Sequence, residues 1–200
     1  MSSTSIVLAS SSPYRKQILE KTNLPFITCS PDIDESAGIN ESAESMVTRL
    51  TKEKALAIQE QFPNHLIISS DQVATLDDGT ILTKPHTHEN AIKQLRKCNS
   101  KTITFLTGLS LLNSSTNNQQ LIVEPFEVTF RSLSNSEIEN YLSIEKPYDC
   151  AGSFKVEGLG ICLFEKLNGN DINALVGLPL IRLLELLRNE SINPLINTPT

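Results

Sequence analysis

Short apolar runs and amphipathic stretches alternate along the chain, and they predict strands and helices in turn. Ile6-Val7-Leu8-Ala9 is a continuous apolar run of the length of a fully buried strand. Ser10-Ser11-Ser12 interrupts it, and Pro13 suits a first helical position, where its missing N–H would have no partner anyway. Ser12 is therefore the expected N-cap of a helix continuing through Gln17-Ile18-Leu19-Glu20. Phe26 to Ser30 predicts a second strand, Asp32 to Asn40 a loop, and Ser42 to Phe62 a long helix closed by Pro63. The β-rich Leu66-Ile67-Ile68 predicts a strand over His65 to Ser70, and Asp77-Asp78-Gly79 a turn joining Val73–Leu76 to Ile81-Leu82. A helix follows over Thr87 to Lys97, then two antiparallel strands, Thr102 to Leu112 and Leu121 to Phe130, joined by a long polar loop from Asn113 to Gln120. Ser134-Asn135-Ser136-Glu137 is a capping-box pattern that opens another helix. A strand over Gly158 to Phe164 and a helix over Pro179 to Arg188 complete the order. Alternation, then hairpins, then alternation again describes an α/β fold with a mixed central β-sheet flanked by helices.

Length and composition narrow the class. Two hundred residues suit one domain, expected over residues 1–195, either undivided or as two lobes around a cleft, with 196–200 as a flexible tail. A net charge of -6 argues against a nucleic-acid-binding surface spread over the molecule, but leaves room for a local cationic pocket. Cys29, Cys98, Cys150 and Cys162 are widely spaced, which predicts buried thiols in a reducing compartment. No basic segment leads into a long apolar stretch at the N-terminus, and the uncharged run from Thr102 to Val123 is too polar in its middle for a membrane span. The expected location is cytoplasmic, with neither membrane nor nucleic acid as partner.

Several residues stand out of place. Arg15 and Lys16 sit in the first turn of their helix, where cations oppose the dipole, so the serine loop is either an ordinary cap or an anion site. Lys54 falls on the apolar stripe of Met46, Val47, Leu50, Ala57 and Ile58, and either snorkels or points into a pocket. Asp71, directly after Ser69-Ser70, is expected at the C-terminal end of a strand, where open α/β sheets place their ligand crevice; an Asx-turn is the alternative. Asp34 and Glu35 are neighbours in an extended loop, so only one of them faces a common site. Lys84-Pro85 presents a lysine on stiffened backbone. His86 and His88 have the spacing of a metal-binding pair but lack further ligands nearby, and are taken as surface residues at a helix start. The chain has no Walker A loop, no G-x-G-x-x-G and no G-x-S-x-G, so the serines are phosphate cradles or caps and not acyl-transfer nucleophiles.

Ser10-Ser11-Ser12-Pro13-Tyr14-Arg15, Asp34-Glu35, Lys54, Ser70-Asp71-Gln72 and Lys84-Pro85 together resemble the motifs of the Maf family of nucleotide pyrophosphatases, from Ile6 to about Leu195. The first matches the family's S-x-S-P-x-R, and Thr83-Lys84-Pro85 stands for its G-K-P. Ser70-Asp71-Gln72-Val73, Val123-Glu124-Pro125-Phe126, Cys150 to Lys155, Glu157-Gly158 and Leu175 to Leu180 are similar to the branch that hydrolyses 7-methyl-GTP. The sister branch acting on dTTP and UTP carries arginine, threonine and glutamine where this chain has Tyr14, Gln72 and Glu157; the 7-methyl-GTP branch usually has tryptophan at Tyr14.

The resemblance implies a Maf/ITPase-like fold and hydrolysis between the α- and β-phosphates of a nucleoside triphosphate, releasing pyrophosphate and clearing modified nucleotides. It also implies a divalent cation, Mg²⁺ or Mn²⁺, and a homodimer. In that reading Asp71 is the proton acceptor, with Lys54, Lys84 and Glu35 as catalytic partners, and Glu35 and Asp71 hold the metal. Ser10, Ser12, Arg15 and Lys155 bind substrate, while Tyr14, Gln72 and Glu157 set base specificity. Two alternatives are the same chemistry on dTTP, UTP or other non-canonical triphosphates, and a nucleotide-binding regulator of cell division and septum formation.

Overall fold

The computed structural model describes residues 5–196. At its centre one mixed sheet runs from edge to edge as β2 (Phe26–Cys29), β1 (Ser5–Ala9), β3 (His65–Leu76), β5 (Thr102–Asn113), β6 (Asn118–Phe130) and β7 (Phe164–Asn168), with the short β4 (Ile81–Leu82) on β3. β1 is parallel to both β2 and β3, and the remaining pairs are antiparallel. Parallel neighbours need crossovers. α1 (Pro13–Glu20) supplies the first and α2 (Ala43–Leu56) the second.

The apolar run of β1 is explained by burial on both faces. Ile6 and Leu8 pack with Ile18 and Leu19 of α1 and with Leu183 and Leu187 of α6 (Leu180–Asn189). Val7 and Ala9 turn the other way, toward Ala55 of α2 and Ile58. A third cluster lies at the far half of the sheet, where α3 (His88–Cys98) and α4 (Asn135–Glu145) cover Phe105, Phe126, Phe130 and Phe154. Phe154 meets Phe164, Phe105 and Phe130 edge-on at centroid distances of 4.8, 5.4 and 5.8 Å, the favoured arrangement for ring quadrupoles.

The strand that organises the site is β3. It pairs with β1 only as far as Ala9↔Ser69, and picks up β4 at Ala74↔Leu82. Between these partners, Ser70 to Val73 form an open edge. Asp71 therefore lies in mid-strand, paired with Gly108 of β5, and not at the end of a strand as its sequence position suggests. It is β1 that ends there. From its C-terminal end, and from that of β2, leave the serine loop and the Asp34-Glu35 loop, so the crevice still opens beyond the carboxyl ends of parallel strands.

Other expectations also change. α2 stops at Leu56 and gives way to a 3₁₀ turn over Gln59–Gln61; Ala57 is exposed and Ala55 takes the buried place. The polar stretch after Asn113 is a tight turn and not a long loop, because Asn113 already pairs with Asn118. Residues 159–163 form a 3₁₀ turn, not a strand: Gly160 and Leu163 are buried three residues apart, the period of that helix, and β7 follows it. A short helix, α5 (Ile172–Val176), was not foreseen. All four cysteines are free, yet only Cys98 is buried and Cys162 is exposed, because Cys162 points outward from that 3₁₀ turn. The expected tail, apart from Ile196, lies outside the described residues. Among the described residues no helix is long and apolar enough to cross a membrane.

Candidate active site

The serine loop folds as a cap. Ser12 Oγ accepts the Arg15 N–H at 3.4 Å, and Ser10 Oγ accepts the Ser12 N–H at 3.1 Å. Arg15 is led inward from this turn, and its Nε donates to the Gly177 carbonyl at 2.8 Å. The Ser70 hydroxyl reaches the same carbonyl at 2.8 Å and that of Gly108 at 2.7 Å, so the corner after α5 is tied to both α1 and β3. Gly177 sits at φ 119, a conformation that suits glycine, and a Cβ there would press on the Arg15 guanidinium.

Lys54 does not snorkel. Its Nζ donates to Asp71 Oδ1 at 2.5 Å and contacts Glu35 Oε1 at 2.7 Å, and the residue is only 6% exposed. α2 reaches the sheet closely enough for this because residue 108 is glycine: a Cβ there would collide with Thr51 Oγ1. Ser69 Oγ donates to the Thr51 carbonyl at 2.6 Å and fastens the same turn of helix one turn before Lys54. The hydrogen bond from Lys54, then the charges of Lys54, Lys84 and Arg15, hold the Glu35 carboxyl below the usual range against the opposing effect of burial. Burial lowers the Arg15 pKa, opposed by Asp71 and Glu35, but a guanidinium remains charged. Lys84 is exposed on the facing wall, after β4, with Pro85 buried beneath it.

These groups line one cleft of about 460 Å³, a volume suited to a small-molecule ligand. Its other end holds Tyr14, Asp149, Cys150, Ala151, Val156 and Glu157. Gln72 also lines the cleft. Its Nε2 donates to the Ala174 carbonyl at 2.9 Å, the Leu175 carbonyl at 3.0 Å and Thr107 Oγ1 at 3.0 Å, so the free face of the amide is its oxygen. Glu157 is exposed at the rim and makes no ion pair among the described residues. Lys155 is not among the residues lining the cleft; its ammonium lies 3.7 Å from Asp149 and close enough to the Tyr14 hydroxyl to interact with it electrostatically.

Ser10, Ser12, Tyr14, Arg15, Glu35, Lys54, Asp71, Gln72, Lys84 and Glu157 thus share the cleft wall, whereas Lys155 stands behind Tyr14. Asp34, the neighbour of Glu35, turns to the Ser36 N–H at 2.9 Å instead. His86 is exposed and His88 bonds the Tyr148 hydroxyl at 2.9 Å, away from the cleft. Gly108 and Asp149 are site residues that the sequence does not single out, and Gly177 enters there only as part of the Leu175 to Leu180 stretch. Only Gly177 carried a signal, the helix stop in Gly177-Leu178-Pro179.

The model of the family described as Maf-like protein matches residues 5–190 of this chain. The chain belongs to the Maf family. A 7-methyl-GTP pyrophosphatase from Pseudomonas aeruginosa is 54% identical to this Maf chain over 187 residues, covering 94% of it and 97% of the relative. Another protein of that name, from Colwellia psychrerythraea, is 53% identical over 190 residues, covering 95% of this chain and 94% of its own. Among solved structures, the Staphylococcus aureus Ham1 protein superposes with a TM-score of 0.50 over 94% of the Maf chain and 100% of its own length, at 12% identity. That likeness concerns the fold alone, and it agrees with a mixed sheet flanked by helices.

Among the described residues no three His, Cys, Asp or Glu side chains gather as a metal site. The two carboxylates that share the Lys54 ammonium are hard oxygen donors of the kind Mg²⁺ uses, with water and substrate phosphates filling its remaining positions. The donor set fits a divalent cation.

Proposed function

We propose that this chain, as a single domain, hydrolyses 7-methyl-GTP between its α- and β-phosphates, giving 7-methyl-GMP and pyrophosphate. The observation that carries the proposal is the Lys54 ammonium clasped by Glu35 and Asp71 on the floor of a cleft with Arg15 on one wall and Lys84 on another. An acidic protein has reason to gather three cations in one place if its ligand is a polyphosphate. The names of relatives more than 50% identical over nearly the whole chain support the same reading.

In this mechanism Arg15 grips phosphate oxygens through its planar fork, while Lys54 and Lys84 act as compact charges. Ser10, Ser12 and the α1 N-terminus add hydroxyls and the positive end of a helix dipole. Asp71 orients a water and takes its proton as the oxygen bonds to the α-phosphorus. The bond from the α-phosphorus to the bridging oxygen breaks, and that oxygen leaves with the electron pair as part of pyrophosphate. Arg15, Lys54 and Lys84 stabilise the negative charge that develops there. Glu35 and Asp71 would hold Mg²⁺ or Mn²⁺, whose chemistry when bound is to neutralise charge on phosphate oxygens. Tyr14 offers a ring face to the cationic methylated base, Glu157 a carboxylate to its N1–H and amino group, and the Gln72 oxygen fixes its edge. Lys155 serves the substrate by steadying Tyr14. The family resemblance extends the proposal to a homodimer working in the cytoplasm.

The test is pyrophosphate release with Mg²⁺ and with Mn²⁺ over 7-methyl-GTP, GTP, dTTP, UTP, CTP and ITP. The expected result is marked preference for 7-methyl-GTP with 7-methyl-GMP as co-product. Preference for dTTP or UTP would overturn the base assignment, and binding without release would overturn the enzyme.

A further inference from the structure

The loop that carries Glu35 has no core of its own. From Ser30 to Glu41 no residue is buried, and Ile39 is almost wholly exposed. Among the described residues its side-chain ties to the rest of the fold are two. One is the Glu35–Lys54 pair itself. The other centres on Arg49, one and a half turns before Lys54 on α2. Arg49 Nε donates to Glu41 Oε1 and Nη2 to Glu41 Oε2, both at 2.7 Å. Nη2 also reaches the Ser36 carbonyl at 3.0 Å, directly after Glu35. Nη1 is anchored on the helix by Glu53 at 3.2 Å, and Glu41 Oε2 accepts the Gly38 N–H at 2.8 Å. A planar guanidinium thus spans both oxygens of Glu41 and the backbone beside Glu35, the bidentate arrangement that gives charge-assisted bonds their directionality.

The first tie is the one that chemistry must break. When Lys54 turns to a phosphate, Glu35 loses its partner and the loop keeps only the second. We infer that Arg49, through Glu41 and the Ser36 carbonyl, is a positioning residue that keeps Glu35 near Asp71 and so sets the affinity of the site for its divalent cation. This rests on the metal assignment proposed above. Arg49 itself is not among the residues lining the cleft.

The experiment titrates Mn²⁺ by electron paramagnetic resonance into the full chain saturated with α,β-methylene-GTP, which cannot be cleaved between those phosphates. Wild type, Arg49→Met, Arg49→Lys and Glu41→Gln are compared, with Tm as a folding control and hydrogen exchange over residues 30–41 as a second readout. Removing a partner that orients a metal ligand costs roughly 10–100-fold in affinity. Arg49→Met is expected to weaken Mn²⁺ by about that factor and to speed exchange at Ser36 and Gly38, with turnover at saturating Mn²⁺ within about threefold of wild type. Arg49→Lys, which keeps the charge without the fork, is expected to fall between, and Glu41→Gln to match Arg49→Met in direction. Unchanged Mn²⁺ affinity in a folded Arg49→Met protein would overturn the inference. Equal loss of turnover at saturating Mn²⁺ would also overturn it, by pointing to general damage. A wild type that takes up no Mn²⁺ would remove the metal assignment itself, and unaltered exchange in Arg49→Met would then dispose of the tether as well.

Discussion

The two ends of the cleft are built differently. At the phosphate end, Lys54 and Asp71 are buried, and Arg15 and Ser70 converge on one carbonyl, that of Gly177. Lys54 is held by two carboxylates and Ser70 by two carbonyls, whereas Lys84 is exposed on the opposite side. At the base end, Tyr14 and Glu157 are less enclosed, Lys155 and Asp149 approach no closer than 3.7 Å, and Glu157 has no ion-pair partner among the described residues. At the proposed phosphate end the fold holds Lys54, Asp71 and Arg15 in place before a ligand arrives, and only the Lys54–Glu35 pair has to open for a phosphate to take the ammonium. Of the residues proposed to read the base, Glu157 can be exchanged without unmaking buried bonds whereas Gln72 cannot, so selectivity can change most easily at Glu157.

That contrast can be broken most sharply at Asp71. Asp71→Asn keeps the shape and removes the base, and turnover should fall on the order of 10²–10⁴-fold while the protein stays folded; near wild-type pyrophosphate release would end the assignment. Gly108→Ala tests whether the phosphate end depends on how closely α2 lies on the sheet. Overpacking against Thr51 should cost about 1–3 kcal/mol in chemical denaturation and lower turnover too, and adding Thr51→Ala should recover part of both. At the base end the effects should be smaller and selective. Glu157→Gln is expected to reduce preference for 7-methyl-GTP over UTP by roughly 5–30-fold, the equivalent of one charged hydrogen bond, leaving turnover of pyrimidine triphosphates unchanged. Lys155→Met should raise the KM for 7-methyl-GTP a few fold, on the order of one exposed cation or ring contact, with kcat preserved; a fall in kcat alone would place Lys155 with the phosphates after all.

The smallest effect is one of acid stability, away from both ends. Glu137 is held down to about 2 by the Ser134 N–H and by Arg131. A depressed carboxylate contributes stability that is fully present above its unfolded value, roughly 4.3, and is lost as pH falls through the folded value. The Tm deficit of Glu137→Gln relative to wild type should therefore be present at pH 6 and shrink between about pH 4 and pH 2. A deficit independent of pH would mean that packing, not charge, underlies it.

Much of this was legible in the chain. Ser12 and Pro13 announce a capped helix after β1, Ser134 and Glu137 announce α4, and the misplaced Lys54 marks a polar target inside an apolar stripe. Such signals are local, set by hydrogen bonds within a turn or by the period of one helix. The errors have one cause as well. Nothing near Asp71 says that β3 runs on, because the feature that opens the crevice is the end of its neighbour β1 sixty residues earlier. Nothing near Gly160 distinguishes a 3₁₀ turn from a strand until the neighbouring chain is in place.

By itself, then, the sequence determined the order of strands and helices, the caps that begin them and the chemical types gathered for the site, because these follow from backbone preferences and from which residues can leave water. Only the tertiary structure decided that Lys54 meets two carboxylates, that Lys155 stands beside Asp149, and that Arg49 reaches over to the loop of Glu35. Those meetings depend on how closely α2 lies on the sheet at Gly108 and on where parallel pairing stops, and both are properties of the packed sheet and not of any one segment.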